Sequence, residues 1–330
     1  MRKKIFGFGL ALSALLFALS VSAADAQQAG KIFRIGFLDN SIASGSEVRL
    51  QAFWQEIRKL GWIEGKNITI EYRFAEGEND RLPELAADLV RLKVDLIVAR
   101  GTTPALAAKS TTTTIPILFT DASDPVGAGM VASLARPGGN VTGLSGLAGE
   151  LNTKRLEILK DAVPKLARVG LPRSSTTIAS DLQMKELRAA AVVLKLKLEE
   201  IETQLDAKGL ESFFKTAKQK KVNAIIVTGP RHFTERKRIV DLAVKYRFPA
   251  IYPQKEYVDE GGLMYYGIDS TDLYRRAAVY VDKILKGAKP GDLPVQQATK
   301  FEFVINLKAA KQIGLTLSPD FLARANKVIR

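Results

Sequence analysis

The chain has 330 residues, of which 46% are hydrophobic and 25% are charged, and its formal net charge is +14 at pH 7. This composition is ordinary for a globular protein with a buried core, and it excludes a disordered or low-complexity chain. The chain contains no cysteine, which excludes disulfides, thiolate metal sites, a cysteine nucleophile and a lipid-modified N-terminal cysteine.

The first 26 residues have the features of a secretory signal peptide. A basic start at 2–4 is followed by an apolar run over 5–19, which is too short to span a bilayer, and then by small residues ending at Ala26. We expect cleavage after Ala26. Because no lipid-modifiable cysteine is present, the mature protein is predicted to be a freely diffusing periplasmic protein.

The excess of basic residues does not by itself indicate a nucleic-acid partner. Lysines and arginines are spread over helical stretches such as 154–165 and 215–221, and no arm or aromatic platform collects them. We interpret them as a solvated basic surface and predict no nucleic-acid partner.

From residue 33 onward, short apolar segments alternate with longer amphipathic ones, a pattern that predicts parallel sheets covered by helices on both faces. The predicted strands are 33–38, 67–73, 94–99, 117–120, 167–171, 198–202, 224–228 and 250–252. The predicted helices are 47–60, 82–92, 104–110, 126–134, 152–162, 177–196, 210–220, 234–246 and 274–285.

The alternation runs through the chain twice, which predicts an α/β fold of two similar, doubly wound parallel-sheet lobes. The chain is expected to cross between the lobes near 143–149, 264–268 and 301–305, and such a three-stranded hinge allows closure over a ligand. Lobe one is predicted to comprise 27–145 and about 270–298, and lobe two 146–268 and about 299–330.

Open parallel sheets bind ligands beyond the carboxyl ends of their strands, so we searched those loops for candidate residues. In lobe one, a turn of glycine and two threonines before Pro104 leaves N–H groups free for a carboxylate, although an ordinary threonine cap explains it equally well. Asp121 and Asp124 follow the fourth strand, and one or both suit a ligand ammonium, although Asp124 is equally explained as the cap of the helix that begins at Pro125. The lobe-one candidates are Asn40, Ser41, Ser44, Gly101, Thr102, Thr103, Asp121, Ser123 and Asp124.

In lobe two, the loops after the strands carry hydroxyl, amide and aromatic groups, which suit a mostly apolar pocket with a few orienting polar groups. One further carboxylate lies near a predicted crossing. These candidates are Ser174, Ser175, Gly229, Tyr252, Gln254 and Asp269.

Enzymatic signatures are largely absent. The single histidine, His232, has no second histidine to share a metal, and we interpret it as a solvated loop residue. The sequence holds no G-x-G-x-x-G fingerprint, P-loop or G-x-S-x-G motif, so we predict no cofactor, no metal and no enzyme activity. A secreted hydrolase with carboxylates gathered across the cleft stays open as an alternative.

Several stretches carry a family resemblance: 124–129 (DPVGAG), 135–143 (ARPGGNVTG), 261–264 (GGLM), 273–278 (LYRRAA) and 300–306 (KFEFVIN). On these residues, the chain from about Ile32 to its C-terminus resembles the ABC-transporter substrate-binding proteins, a family that includes tryptophan and tyrosine import components. The resemblance implies a periplasmic-binding-protein fold of the three-crossing type I. It also implies a ligand between the lobes, delivered to a membrane permease driven by a separate cytoplasmic ATPase.

The resemblance also implies site roles, with the loop Ser41 to Ser44, the turn at 101–103 and Asp124 holding an amino-acid backbone. Two departures concern specificity: Ser123 stands where relatives often have glycine, and 265–269 is altered. The predicted function is periplasmic capture of a small carboxylate-bearing ligand, such as an aromatic amino acid or related acid. The protein is predicted to be a monomer that contacts membrane proteins only transiently. A sensor that presents its closed form to a receptor kinase is the other alternative.

Overall fold

The computed structural model describes residues 30–173, 178–229 and 231–330. The predicted signal peptide, 1–26, lies outside the described residues, as does the start of the helix predicted from residue 177. The described residues form one sheet of six strands and one of seven. The strands are β1 (Phe33–Asp39), β2 (Ile68–Phe74), β3 (Leu96–Arg100), β4 (Ile117–Ala122), β5 (Val141–Ser145), β6 (Arg168–Arg173), β7 (Lys197–Glu202), β8 (Ala224–Ile226), β9 (Ala250–Tyr252), β10 (Met264–Ile268), β11 (Gln296–Gln297), β12 (Phe301–Asn306) and β13 (Lys327–Ile329).

Helices connect most of the strands, and 3-10 turns precede several of them. Local sequence explains their ends: Asp206, Asp269 and Ser318 each accept backbone N–H groups at a helix start, as expected of N-cap residues. The helices are α1 (Glu47–Lys59), α2 (Leu82–Arg91), α3 (Thr102–Thr111), α4 (Ala148–Ala162), α5 (Ile178–Val193), α6 (Ala207–Gln219), α7 (Arg236–Lys245), α8 (Glu256–Asp259), α9 (Ser270–Leu285), α10 (Leu307–Ile313) and α11 (Pro319–Ala323).

The first sheet has the order β11-β5-β4-β3-β1-β2, and its strand pairs are parallel. Helices α1 and α9 pack on one face, and α2 and α3 pack on the other. Every residue of β3 and β5 is buried, because a parallel strand between two helical layers has no solvent-facing side.

The second sheet has the order β13-β12-β10-β9-β8-β6-β7. Helices α4, α5, α10 and α11 cover one face, and α6 and α7 cover the other. The pair β10 and β12 is antiparallel, because the chain leaves the sheet at Ile268 and returns beside it at Phe301. The predicted fold class of two doubly wound sheets is thus confirmed, with one antiparallel pair in the second.

The chain passes between the two layered units in three places: between β5 and α4, between β10 and α9, and between β11 and β12. Each passage spans only a few residues. The two sheets are therefore tied together at one end by short connections, as the predicted three-stranded hinge requires.

The helix predicted at 126–134 is wrong, because this segment forms turns. The Asp124 carboxylate accepts the N–H of Gly127 at 2.8 Å, and the Pro125 carbonyl accepts the N–H of Met130 at 2.9 Å. Gly129 then has a φ of +69°, a left-handed conformation that ends a helical path. The apolar spacing that resembled a helix instead places Met130 and its neighbour in the core.

Candidate ligand-binding site

A cavity of about 730 Å³ lies between the carboxyl ends of the two sheets. Loops after β1, β3 and β4 of the first sheet form its first wall, and the end of β6 with the loops after β8 and β9 of the second sheet form its second wall. This is the position that the strand-end rule predicts, and the volume falls within the range of roughly 300–1,000 Å³ typical of small-molecule sites.

The structure brings nine of the fifteen predicted residues together in this cavity. Among the others, Ser174 and Ser175 lie outside the described residues, and Ser44 belongs to the 3-10 turn Ala43–Ser46 that follows β1. The nine that line the cavity are Asn40, Gly101, Thr102, Thr103, Asp121, Ser123, Gly229, Gln254 and Asp269.

Three further predicted residues have structural contacts and are not part of the cavity lining. The hydroxyl of Ser41 donates to the Ile42 carbonyl at 3.3 Å. The carboxylate of Asp124 caps its own turn. The ring of Tyr252 is 1% exposed and stacks on the Tyr257 ring with centroids 4.8 Å apart, in the core of the second layered unit. Asp269 lines the cavity, but its carboxylate is also the N-cap of α9.

The N-terminus of α3 faces the cavity. Its N-cap, Gly101, has a φ of +88°, which glycine adopts without strain, and no side chain of the described residues caps this end. The hydroxyl of Thr102 accepts the N–H of Ser123 at 3.1 Å, so this threonine links two loops and does not cap its own helix. The first N–H groups of the helix and its positive dipole end are thus available to an anion.

A buried ion pair lies behind this helix end. Arg100 Nη1 is 3.3 Å from Asp39 Oδ1, and Asp39 also accepts the N–H of Ser41 at 2.9 Å and the hydroxyl of Ser46 at 2.8 Å. Burial by itself raises the pKa of Asp39, but Arg100 and these two hydrogen bonds outweigh burial and hold the pKa below its ordinary value. Asp39 is therefore a fixed anion of the wall.

Asp121 is a carboxylate of the first wall that lines the cavity. Its side chain is 35% exposed, its Oδ2 lies 4.0 Å from Arg100 Nη2, and its φ of +57° is unusual for a residue with a Cβ. A Cβ on Gly146 would lie 2.0 Å from Asp121 Oδ1, so any larger residue there would displace this carboxylate. Burial raises the pKa of Asp121, and Arg100, Arg49 and Arg155 offset part of that increase.

Sequence reasoning missed three buried arginines of the cavity: Arg49, Arg100 and Arg155, which are 7%, 6% and 4% exposed. Arg100 directly follows the predicted strand 94–99 and is the last residue of β3, and this position at a strand end would have identified it. Arg155 lies in the stretch 154–165, which we interpreted as a solvated basic surface, and for this residue that interpretation is wrong. Its position in α4 points it at the cleft, a fact that depends on how the helix packs.

The interpretation of His232 as a solvated loop residue is also wrong. The side chain is 5% exposed, and its Nδ1 lies 2.9 Å from the Thr228 carbonyl. This hydrogen bond closes the turn after β8, so the histidine is a packed part of the second wall of the cavity.

Several contacts join the two walls across the cleft. Gln183 Nε2 donates to Ser123 Oγ at 2.8 Å, and Arg49 Nη1 lies 3.8 Å from Glu256 Oε1. A Cβ on Gly45 would lie 3.3 Å from the Phe233 ring. The walls therefore touch at the mouth of the cavity, as in a closed two-lobed receptor.

Within the described residues, no helix is both long and apolar enough to span a membrane. The same residues contain no cluster of three metal-binding side chains.

The chain is similar to proteins with related architecture. It is 29% identical over 272 residues to the tyrosine-binding protein of Clostridioides difficile strain R20291, covering 82% of this chain and 78% of that protein. A Streptococcus pneumonia ABC domain solved in complex with L-Trp has a TM-score of 0.82 and 27% identity, over 91% of this chain and 100% of that one.

A ligand-free, open structure of a substrate-binding protein with adhesive properties from Clostridium difficile has a lower TM-score of 0.67, at 25% identity, over 91% of this chain and 99% of that one. The family model described as ABC transporter substrate binding protein matches residues 46–329. This match confirms the resemblance seen in the sequence, and the chain belongs to the ABC transporter substrate-binding protein family.

Proposed function

We propose that this protein is the solute-binding component of an ABC importer and captures a small carboxylate-bearing ligand between two closing lobes. The observation that carries the proposal is the cavity between the two sheets, with the uncapped N-terminus of α3 on one wall and contacts across its mouth. The moving units are the predicted lobes, 27–145 with about 270–298 and 146–268 with about 299–330.

The ligand carboxylate is held by the first N–H groups of α3, at Thr102 and Thr103. A ligand ammonium is held by Asp121, whose side chain reaches the cavity from the same wall. Apolar lining residues Leu151, Leu171 and Met184 of the second wall accommodate the ligand body. The relatives that bind tyrosine or are solved with L-Trp support an aromatic amino acid or related aromatic acid as the ligand.

Two further features support a closing receptor. The TM-score is higher for the L-Trp complex than for the ligand-free open structure, at similar identity. The walls already touch through the pairs Gln183–Ser123 and Arg49–Glu256, which join the two units across the cleft. A ligand that contacts both walls stabilises this form over the open one.

The setting of this function follows from the sequence. The signal peptide 1–26 is proposed to export the chain to the periplasm, where it passes its ligand, chemically unchanged, to a permease coupled to a cytoplasmic ATPase. The partner contacts are transient, and the receptor is a monomer.

Calorimetric titration of the purified mature protein with amino acids, and with the acids that lack their amino group, tests the proposal. We expect saturable binding of at least one carboxylate-bearing compound, an increase in the midpoint of thermal unfolding, and recovery of the unchanged compound. If a well-folded protein binds none of these compounds, or converts one of them, the proposed function is wrong.

A further inference from the structure

Arg155 differs from the other arginines of the cavity. Five arginines line it, and within the described residues four of them are paired with a carboxylate. The four pairs are Arg49–Glu256 at 3.8 Å, Arg100–Asp39 at 3.3 Å, Arg173–Glu200 at 2.9 Å and Arg236–Glu260 at 3.4 Å. Arg155 forms no ion pair in the part of the chain that the structure describes.

The Arg155 guanidinium is held by neutral oxygen atoms. Its Nε donates to the Tyr266 carbonyl at 2.7 Å, and its Nη1 donates to Asn152 Oδ1 at 2.6 Å. The Pro253 carbonyl lies 3.5 Å from Nη2. These contacts fix the plane of the guanidinium and use three of its five N–H donors, so donors remain for a ligand.

The charge of Arg155 persists in spite of its burial. Burial lowers its pKa to about 10, so the group is a cation at neutral pH. Asp121 attracts it from across the cavity but makes no ion pair with it. A cation that is only 4% exposed and has no ion-pair partner among the described residues is costly unless something supplies an anion in direct contact with it.

We propose that Arg155 binds a second acidic group of the ligand, so that the ligand is a diacid: an acidic amino acid or a dicarboxylic acid with a negative net charge. The inference rests on the proposed function, which assigns the first carboxylate to the N-terminus of α3. The two anion sites lie on opposite walls, in units that the chain joins only at the three crossings. A diacid satisfies both and thereby holds the walls together.

The test compares acids with amides of the same shape. The probes are 4-carboxy-L-phenylalanine against 4-carbamoyl-L-phenylalanine, and L-glutamate against L-glutamine, each titrated calorimetrically into the wild-type protein. L-Tyrosine and L-tryptophan are titrated alongside. We expect the acid of at least one pair to bind more than about tenfold more tightly than its amide, because only the acid forms charge-assisted hydrogen bonds with Arg155.

Two variants assign this preference to a residue. In Arg155→Gln, we expect the acid to lose its advantage, with the two members of a pair binding within about twofold of each other. The matched control is Arg188→Gln, which removes an arginine that lies outside the cavity lining and is paired with Glu200 at 2.7 Å, and it should keep the wild-type ratio. Should Arg155→Gln fail to fold, the inference is tested by the Arg155→Lys variant and by the ratio of acid to amide affinity in the wild-type protein.

The outcomes separate the two proposals. If the wild-type protein binds tyrosine or tryptophan but does not prefer either acid over its amide, the diacid inference is wrong and the proposed function stands. The inference is equally wrong if Arg155→Gln retains the preference for the acid. If the wild-type protein binds none of the six probes and no other carboxylate-bearing compound, the proposed function fails, and the inference fails with it.

Discussion

The two walls of the cleft differ in how a buried arginine is paired. On the first wall, Arg100 and Asp39 form an ion pair at 3.3 Å. The Asp39 carboxylate also accepts hydrogen bonds from the Ser41 N–H and the Ser46 hydroxyl of the same wall. On the second wall, the hydrogen-bond acceptors of Arg155 among the described residues are neutral. The buried Arg100 thus has its counter-ion without a ligand, and Arg155 does not. We infer that a ligand docks on the first wall and completes the second as the lobes close.

The largest effect we expect comes from breaking the ion pair of the first wall. Arg100→Met leaves Asp39 as a buried anion without its main partner, and breaking such a pair costs about 3–5 kcal/mol of unfolding free energy. The same change at Arg155 should cost less, because no buried anion is left behind. Urea denaturation of both variants measures the difference.

A surface variant serves as the control for this experiment. Lys59→Met removes an ion pair with Glu56 in which the lysine is 69% exposed, and its effect should stay within about 0.5 kcal/mol. If Arg155→Met destabilises the fold as much as Arg100→Met, the two walls do not differ in the way we describe.

The sequence predicts those parts of the molecule that local patterns determine. Strands such as β1 and β3 and the amphipathic helix α1 follow from local patterns, so their positions were predicted to within a few residues. The loops at strand ends follow directly from the predicted strands. Most of the lobe-one candidates, which were chosen from these loops, therefore line the cavity. The turn after Asp124 was mistaken for a helix, because a side-chain hydrogen bond and a left-handed glycine decide it.

Local sequence patterns do not predict which charged residues of a helix face the cleft. Arg49 and Arg155 lie in stretches that resemble solvated helical surfaces, and only the packing of α1 and α4 determines that they face the cleft. The same limit applies to His232, which is buried by the turn that its own hydrogen bond closes. Sequence patterns therefore predict the cavity residues that lie on loops better than the charged cavity residues that lie on helices.

The next largest effect concerns the ammonium site. Asp121→Asn removes a charged acceptor worth about 1.5–3 kcal/mol to a bound ammonium, so an amine ligand should bind roughly 10–150-fold more weakly. The acid that lacks the amino group should lose far less. Asp124→Asn is the matched control, because this carboxylate contacts only its own turn among the described residues. Calorimetry with a ligand and its deaminated analogue compares them, and equal losses for both compounds would remove Asp121 from the ammonium site.

A smaller effect should follow from loosening the contact between the walls. Gln183→Ala removes the 2.8 Å hydrogen bond to Ser123, which joins the two walls in this structure. Losing it should disfavour closure by about 0.5–1.5 kcal/mol and weaken ligand binding about 2–10-fold. Small-angle scattering without ligand should show a larger radius of gyration for the variant. An unchanged radius together with unchanged affinity would mean that this contact does not hold the walls together.

The smallest effect is a proton released when an amine ligand binds in acid solution. Burial raises the pKa of Asp121 above its ordinary value of 3.8, so just above that pH part of the protein carries this proton. A ligand ammonium favours the ionised carboxylate and expels the proton, so affinity falls as the pH decreases through the raised pKa. Titrations at about pH 4.5 in two buffers of different ionisation enthalpy measure the release, which Asp121→Asn should abolish.

Asp121 and Asp39 contribute to the pH dependence of stability with opposite signs. Because the folded pKa of Asp121 is raised, its contribution to stability is present at low pH and is lost as the pH rises through that pKa. The folded pKa of Asp39 is lowered, so its contribution is present above its unfolded pKa and is lost as the pH falls through the folded one. Acid should therefore destabilise the Asp121→Asn variant more steeply than the wild-type protein, since the opposing contribution of Asp121 is gone. Unfolding midpoints measured between about pH 3 and 6 test this, and identical slopes for the two proteins would show that Asp121 titrates normally.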